Sequence, residues 1–465
     1  MADFEKYLSS QRNRFESDLC EWLRMASVST DPAFKTEVNR AANWLADGFK
    51  KLGLATKTIS TNGHPIVYAE TEAVAGAPTV LVYGHYDVQP PDPLDEWISP
   101  PFEPTVRDGK VFARGATDDK GQMITHLFGA EAWLKTVGKL PVQLKFLIEG
   151  EEECGSKALY EFLDGKYDNG FKASELVKSD IAVISDSSQY GPGQPAVTYG
   201  LRGICYFELR LVGPKQDLHS GLYGGAVTNP AIALSKMLSQ MIDDRGRIQI
   251  PGFYDDVIDL TPVERKQFAD LNFNEAMFKE KLSVDATTGE EGYTTLERRW
   301  ARPTFDVNGL WSGYQGEGAK TVLPAKAGAK LSFRIVPDQQ PEKIKKALET
   351  WLGKICPPGI RWELIDLHGA PGSLVPIDSP YVAAAAAAIK RGFGTAPVFI
   401  RSGGSIPVVN TFSQKLGIGT LLLGWGQDDD NLHSPNEKFS LADFHRGIAA
   451  SAYLWEELSK VPKAH

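Results

Sequence analysis

Thr79-Val80-Leu81-Val82-Tyr83-Gly84-His85-Tyr86-Asp87-Val88-Gln89-Pro90 is the stretch whose reading decides the fold. Thr79–Tyr83 is a short apolar run of the kind found in strands buried on both faces. Where it ends, the chain delivers an imidazole at His85 and a carboxylate at Asp87, two positions apart and on the same side of an extended backbone. Such a pair suits a divalent ion of zinc type, and the carboxyl end of a strand is where open α/β sheets place ligands. Taken alone, a His-x-Asp pair reads first as a polar loop that holds no metal.

Outward from this strand, short apolar segments alternate with helical ones. Residues 4–54 carry apolar positions at helical spacing (Phe15, Leu19, Leu23, then Ala42, Leu45, Phe49, Leu52). Gln143–Ile148 and Ile181–Ser185 read as further buried strands, and Met123–Thr136 as the helix that follows the first. The alternation predicts an α/β domain built on a mostly parallel sheet with helices on both faces. After Gly200 the character changes. Gly203–Val212 alternates, with Cys205, Phe207, Leu209 and Leu211 on one face and Tyr206, Glu208 and Arg210 on the other. Helices are expected at Pro230–Met241 and Pro341–Leu352, a strand at Lys330–Val336, and a long charged segment at 255–302. That pattern predicts an inserted α+β domain. The α/β pattern then resumes with an alanine-rich helix, Val398–Arg401, Gly419–Leu423 and a last helix over Leu441–Leu458. The expected organisation is a catalytic domain in two parts, 1–199 and 375–465, interrupted by an insertion over 200–374. At 465 residues the chain exceeds the size at which a single core keeps growing.

A net charge of -9 with no basic block argues against nucleic acid as the partner. No apolar run is long enough to cross a bilayer, and the first residues lack the pattern of a secretory signal. Four scattered cysteines suggest neither a disulfide framework nor a thiolate metal site, so a cytoplasmic location is expected.

Several acidic or histidine positions then fall at strand ends or loops. Asp118 and Asp119 occupy a glycine-bounded turn before a helix, where capping alone would favour aspartate. Glu149-Gly150-Glu151-Glu152-Glu153 leaves a strand end crowded with carboxylates that repel one another unless cations offset them. Asp186 follows the strand at Ile181–Ser185, and His433 lies in the polar loop Asn431–Glu437. Each alone could be a solvated loop. Together, two histidines and several carboxylates at the strand ends of one sheet would build an oxygen-rich site suited to a pair of zinc or manganese ions.

The motifs His85-Tyr86-Asp87-Val88-Gln89-Pro90, Arg114-Gly115 with Asp118-Asp119-Lys120-Gly121, Glu149 to Ser156, Ser185-Asp186, Asp217-Leu218-His219-Ser220-Gly221 and His433-Ser434 with Asn436-Glu437-Lys438 follow one another in a known order. By them the chain resembles the co-catalytic zinc peptidase family of aminoacylase, carboxypeptidase G, succinyl-diaminopimelate desuccinylase and carnosinase. It is most similar to the cytosolic non-specific dipeptidases of carnosinase type. The resemblance implies that His85 and Asp186 hold one metal ion, Glu153 and His433 the other, and that Asp118, its peptide bond to Asp119 cis, bridges the two. It implies that Asp87 orients His85 and that Glu152 is the general base for a water activated by both metals. The triple glutamate leaves a second register, Glu151 as base and Glu152 as ligand. The spacing to Gly155-Ser156 selects the first.

From the inserted domain, which the resemblance makes a lid and dimerisation domain, His219 would reach across a homodimer interface to stabilise the oxyanion. Thr321 would come from the same lid, Arg334 would clamp the substrate carboxylate, and Ser405 with the neighbouring glycines would bind the same carboxylate. In one departure, the chain has Ser402 where carnosinase-type enzymes usually carry an acid. The implied reaction is hydrolysis of the amide bond of a dipeptide. Its rivals are a same-fold amidase acting on N-acyl amino acids or other N-blocked substrates, and a metal-free binding protein that retains the fold.

Overall fold

The computed structural model describes residues 3–404 and 406–463. Two compact units emerge: one from the described residues of Met1–Tyr199, Val375–Ile400 and Thr411–His465, the other from those of Gly200–Leu374 and Arg401–Asn410.

The strands of the first unit run in the order Ala55–Ile59, Ile66–Glu70, Gln143–Glu149, Thr79–His85, Ile181–Ile184, Thr420–Gly424, Ala196–Leu201. The four from Gln143–Glu149 to Thr420–Gly424 pair in parallel. The outer pairs are antiparallel. At one edge this follows from connection length, because 60–65 is too short to return a strand in the parallel sense. Every residue of Thr79–His85 is buried, as the apolar run requires if both faces are covered. Val82 pairs with Phe146, and Tyr83 with Leu147, so Phe146 and Tyr83 point to opposite faces. The helix Lys35–Lys51 covers the first face, with the Phe49 ring 4.8 Å from that of Phe146. Phe412 covers the second, 5.6 Å from Tyr83.

In the helix Lys120–Thr136 every residue from Lys120 to Ala132 is buried. A helix apolar or packed on all sides belongs inside a core, and this one lies under the C-terminal helix Leu441–Leu458. The core contains the Phe15, Leu19, Leu23, Ala42, Leu45 and Phe49 positions read from the sequence.

The second unit holds a four-stranded antiparallel sheet in the order Thr304–Ser312, Lys326–Ile335, Gly203–Val212, Arg361–Ala370. Cys205, Phe207, Leu209 and Leu211 line its buried face with Ile344, Leu348 and Leu352 of the helix Pro341–Ile355, and with Leu234 and Met237 of the helix Pro230–Ser239. The charged 255–302 segment contains helices at Pro262–Asp270, Glu275–Leu282 and Thr295–Ala301. Reciprocal hydrogen bonds between Thr261 and Glu264, and between Thr294 and Glu297, cap the first and third. His368 lies on the strand Arg361–Ala370, and its ring stacks 5.3 Å from Tyr206.

Candidate active site

The strand ends of the first unit bring five predicted residues together. Among the described residues two groups of side chains could each hold a metal ion: His85, Asp118 and Asp186; and Asp118, Glu153 and His433. Asp118 belongs to both. Its Oδ1 lies 3.2 Å from His85 Nε2, its Oδ2 lies 3.0 Å from His433 Nε2, and His433 Nε2 lies 3.4 Å from Glu153 Oε2. Ligand atoms held at about 2.1 Å from one tetrahedral ion stand roughly 3.4 Å apart, so these spacings match. His85 Nε2 is buried and, although Asp118 Oδ1 lies 3.2 Å away, makes no well-aligned hydrogen bond to any described residue. A buried imidazole nitrogen left in this way is costly unless something else takes its lone pair, and an ion would.

Charge points the same way. Burial, with Asp118 beside it, pushes the Glu153 carboxyl up to about 9, and the same two causes push Asp186 up to about 7. Burial also raises Glu152. The His433 ring is raised to about 9, chiefly by its hydrogen bond to Asp118. Acids crowded and desolvated to this degree give up their protons readily only to a site that supplies positive charge. The donor set of imidazole and carboxylate, with no thiolate, fits zinc or manganese.

Local sequence explains how each group arrives. Gly84 lets the strand end approach the Asp118 turn: a Cβ there would stand 2.5 Å from Met123 Cγ and 2.7 Å from Asp119 Oδ2. The Asp118–Asp119 peptide bond is cis, as expected. His433 sits at φ 57°, with Asn431 at 58° and Asn436 at 62°, left-handed conformations that residues other than glycine seldom adopt and that asparagine and histidine tolerate better than most. Asn436 holds it in place, accepting from the Ile98 amide at 2.8 Å and donating to the Glu96 carbonyl at 2.9 Å.

The triple glutamate resolves by hydrogen bonding. Glu151 accepts from the backbone amides of His64 at 2.8 Å and Ala158 at 2.9 Å, which turns its carboxylate away from the cluster. Glu153 is the one that meets Asp118 and His433.

The model for peptidase family M20/M25/M40 matches residues 81–457. The chain belongs to that family. It is therefore a peptidase, an enzyme that hydrolyses peptide bonds. It is 34% identical to the Cys-Gly metallodipeptidase dug1 of Schizosaccharomyces pombe over 98% of this chain and 97% of that relative. Human carnosine dipeptidase 1 has a solved structure that matches with a TM-score of 0.82 at 30% identity, over 99% of this chain and 100% of that one. The M20 family metallo-carboxypeptidase Sso-CP2 from Sulfolobus solfataricus matches with a TM-score of 0.84 at 33% identity, over 96% and 99%.

In this M20 peptidase Asp87 does more than its expected task. Its Oδ1 lies 3.3 Å from His85 Nδ1, which also faces the Asp87 carbonyl at 3.1 Å. The same carboxylate accepts the backbone amides of Glu152 at 3.3 Å and Glu153 at 3.1 Å. Gln89, quoted in the motif without a role, donates to Glu153 Oε2 at 2.8 Å.

The remaining predicted residues lie in the second unit. His219 and Thr321 are neighbours there: His219 pairs with Val322, and the Thr321 carbonyl accepts the Ser220 amide at 3.1 Å. His219 is exposed, and its Nδ1 accepts the Gly221 amide at 3.0 Å, which puts the ring proton on Nε2. Arg334 lies on Lys326–Ile335, half-buried, with its pKa lowered by burial. Arg202, which sequence reasoning passed over, is brought down to about 10 by burial and by the charges of Arg334 and Arg299. Ser405 lies outside the described residues. Of the histidines given no role, His64 faces the Ser29 carbonyl at 3.1 Å and His445 faces Glu16 at 2.6 Å. His126 is packed between Ser185 and Ser451.

Proposed function

We propose that this M20 peptidase hydrolyses dipeptides with two divalent metal ions, zinc or manganese, held by His85 and Asp186 on one side, Glu153 and His433 on the other, and Asp118 between them. The observation that carries the reading is the sharing of Asp118 by two ligand groups. When bound, the metals supply Lewis acidity, polarising the scissile carbonyl and lowering the pKa of water. Glu152 takes the proton of the attacking water and delivers it to the leaving amine. Its raised pKa suits a group that must hold a proton between those steps. Asp87 keeps His85 in one tautomer and fixes the backbone of Glu152 and Glu153.

Substrate groups come from the second unit. Arg334, whose charge acts on Arg202 and which has Asp306 beside it, clamps the free carboxylate, a task suited to a planar guanidinium. Thr321 and Ser405 add hydrogen bonds. His219 acts in a homodimer across the interface, where its Nε2–H donates to the oxyanion; the tautomer supports this. The names of two relatives, Cys-Gly metallodipeptidase dug1 and human carnosine dipeptidase 1, support the dipeptide reading over that of an N-acyl amino acid substrate. No described helix is long and apolar enough to cross a membrane, and the four cysteines are free, which favours a reducing, cytoplasmic setting.

The test is a substrate panel. Metal-reconstituted protein is assayed on dipeptides and on N-acetyl amino acids side by side. Turnover of dipeptides is expected, and turnover of the acylated compounds alone sinks the proposal.

A further inference from the structure

The turn that carries Asp118 is gripped from one side by a single buried carboxylate. Glu437 is fully buried. Its Oε2 accepts from Arg114 Nη1 and the Gly115 amide, both at 2.9 Å, and its Oε1 accepts from the amides of Thr117 at 2.9 Å and Asp118 at 3.1 Å. Each oxygen thus meets two donors, and three of the four belong to the backbone of the turn. The grip extends through neighbours. The Thr117 hydroxyl lies 2.6 Å from the Lys438 carbonyl and 3.0 Å from Asp430 Oδ2, and the Lys438 amide donates to the Asp430 carbonyl at 3.0 Å. All of these partners lie on segment 430–438, which also presents His433.

We propose that Glu437 is the positioning residue of the bridging aspartate, and that it couples the two metal positions. This rests on the metal assignment above. The carboxylate sets the backbone of residues 115–118 before any ion arrives, so Asp118 starts with its two oxygens facing the two ligand groups. Because Glu437 and His433 share one short loop, a shift of that loop moves a terminal ligand of one position and the bridge of both. Occupancy of the two positions is then interdependent through the protein, in addition to the shared carboxylate itself. Glu437 bonds no side chain of either ligand group, and its role is exerted through backbone amides, that of Asp118 among them.

The substitution Glu437→Gln is nearly isosteric and exposes the argument. A glutamine has one acceptor oxygen, so whichever way its amide turns, an NH2 donor faces either Arg114 and Gly115 or Thr117 and Asp118. Two buried donors then lose their partner. Metal-free wild type and E437Q are titrated with Co2+, following the visible absorption of the bound ion. Wild type is expected to take up two ions. In E437Q at least one step is expected to weaken by about 10- to 100-fold, the range found when groups that orient metal ligands are changed. If wild type takes up two ions and E437Q takes them up with the same affinities, the proposal is overturned while the metal assignment stands. If wild type itself binds none, the assignment fails.

Should E437Q not fold, amide hydrogen exchange on metal-free wild type decides. Protection at Gly115, Thr117 and Asp118 without metal supports pre-setting by Glu437. Exchange there at the rate of exposed loops, with protection only after metal is added, overturns it.

Discussion

Replacing Asp87 by asparagine tests how the site is assembled. The Asp87 side chain is fully buried and acceptor-only, and it faces three donors: His85 Nδ1 at 3.3 Å, the Glu152 amide at 3.3 Å and the Glu153 amide at 3.1 Å. Asparagine keeps the shape but offers one oxygen and one NH2 group. Either the imidazole or at least one glutamate amide must then face a donor. The change removes one hydrogen bond to a charged group, worth about 1.5–3 kcal/mol, and leaves a buried donor unpaired, at about 1–3 kcal/mol. A loss of roughly 2.5–6 kcal/mol in the organised site is expected, shared between folding stability and metal binding. In binding it should appear as about a 10- to 100-fold weaker affinity. Competition of wild type and D87N against a chromogenic zinc chelator, with dipeptide turnover on the same samples, measures both. D87N that holds two ions as tightly as wild type, with unchanged kcat, would refute the view that this carboxylate orients His85 and fixes Glu152 and Glu153.

Glu152→Gln should lower kcat by about 10²- to 10⁴-fold with metal content unchanged. Glu151→Gln should leave kcat within about tenfold and cost about 1–3 kcal/mol of stability, because its carboxylate accepts the His64 and Ala158 amides; steady-state kinetics with elemental analysis separate the two registers, and the reverse pattern would reassign the base. His126 gives a pH test. Burial lowers its pKa from 6.5 to about 3, so between those values the unfolded chain binds a proton that the folded chain refuses, and stability falls as pH falls. From pH 7 to pH 5 wild type should lose about 2 kcal/mol more than His126→Asn, since other groups cancel in the comparison. Urea unfolding at each pH, followed by tryptophan fluorescence, reads the difference. Equal losses would mean that His126 takes up its proton in the folded chain as readily as in the unfolded one, so that burial does not lower its pKa.

What was legible in the sequence was local. Thr79–Tyr83 reads as a buried strand because an apolar run needs no partner to be recognised, and the fold class follows from the alternation around it. Cys205 to Leu211 show their face by period two alone. The ligand set became readable through motif order, since no single His-x-Asp or acidic turn is specific. The helices of segment 255–302 carried a signal that polarity masked: Thr261 with Glu264 and Thr294 with Glu297 are spaced as reciprocal caps. Other features depend on long-range contact. Glu151 is distinguished from its neighbours by the His64 amide, 87 residues away. Glu437 meets the Asp118 turn across 319 residues. Arg202 stands near Arg334 and Arg299 only after the second sheet has formed. Spacing along the chain does not report such meetings.

The central claim is that two ions bridged by Asp118 make this chain a dipeptidase. The most direct measurement is metal content against dipeptide turnover on the same samples, as chelated protein is dialysed against rising zinc or manganese. The account predicts no turnover without metal and full turnover as content reaches two ions per chain. Undiminished dipeptide hydrolysis in the chelated protein, or a content that never exceeds one ion per chain at full activity, would contradict it.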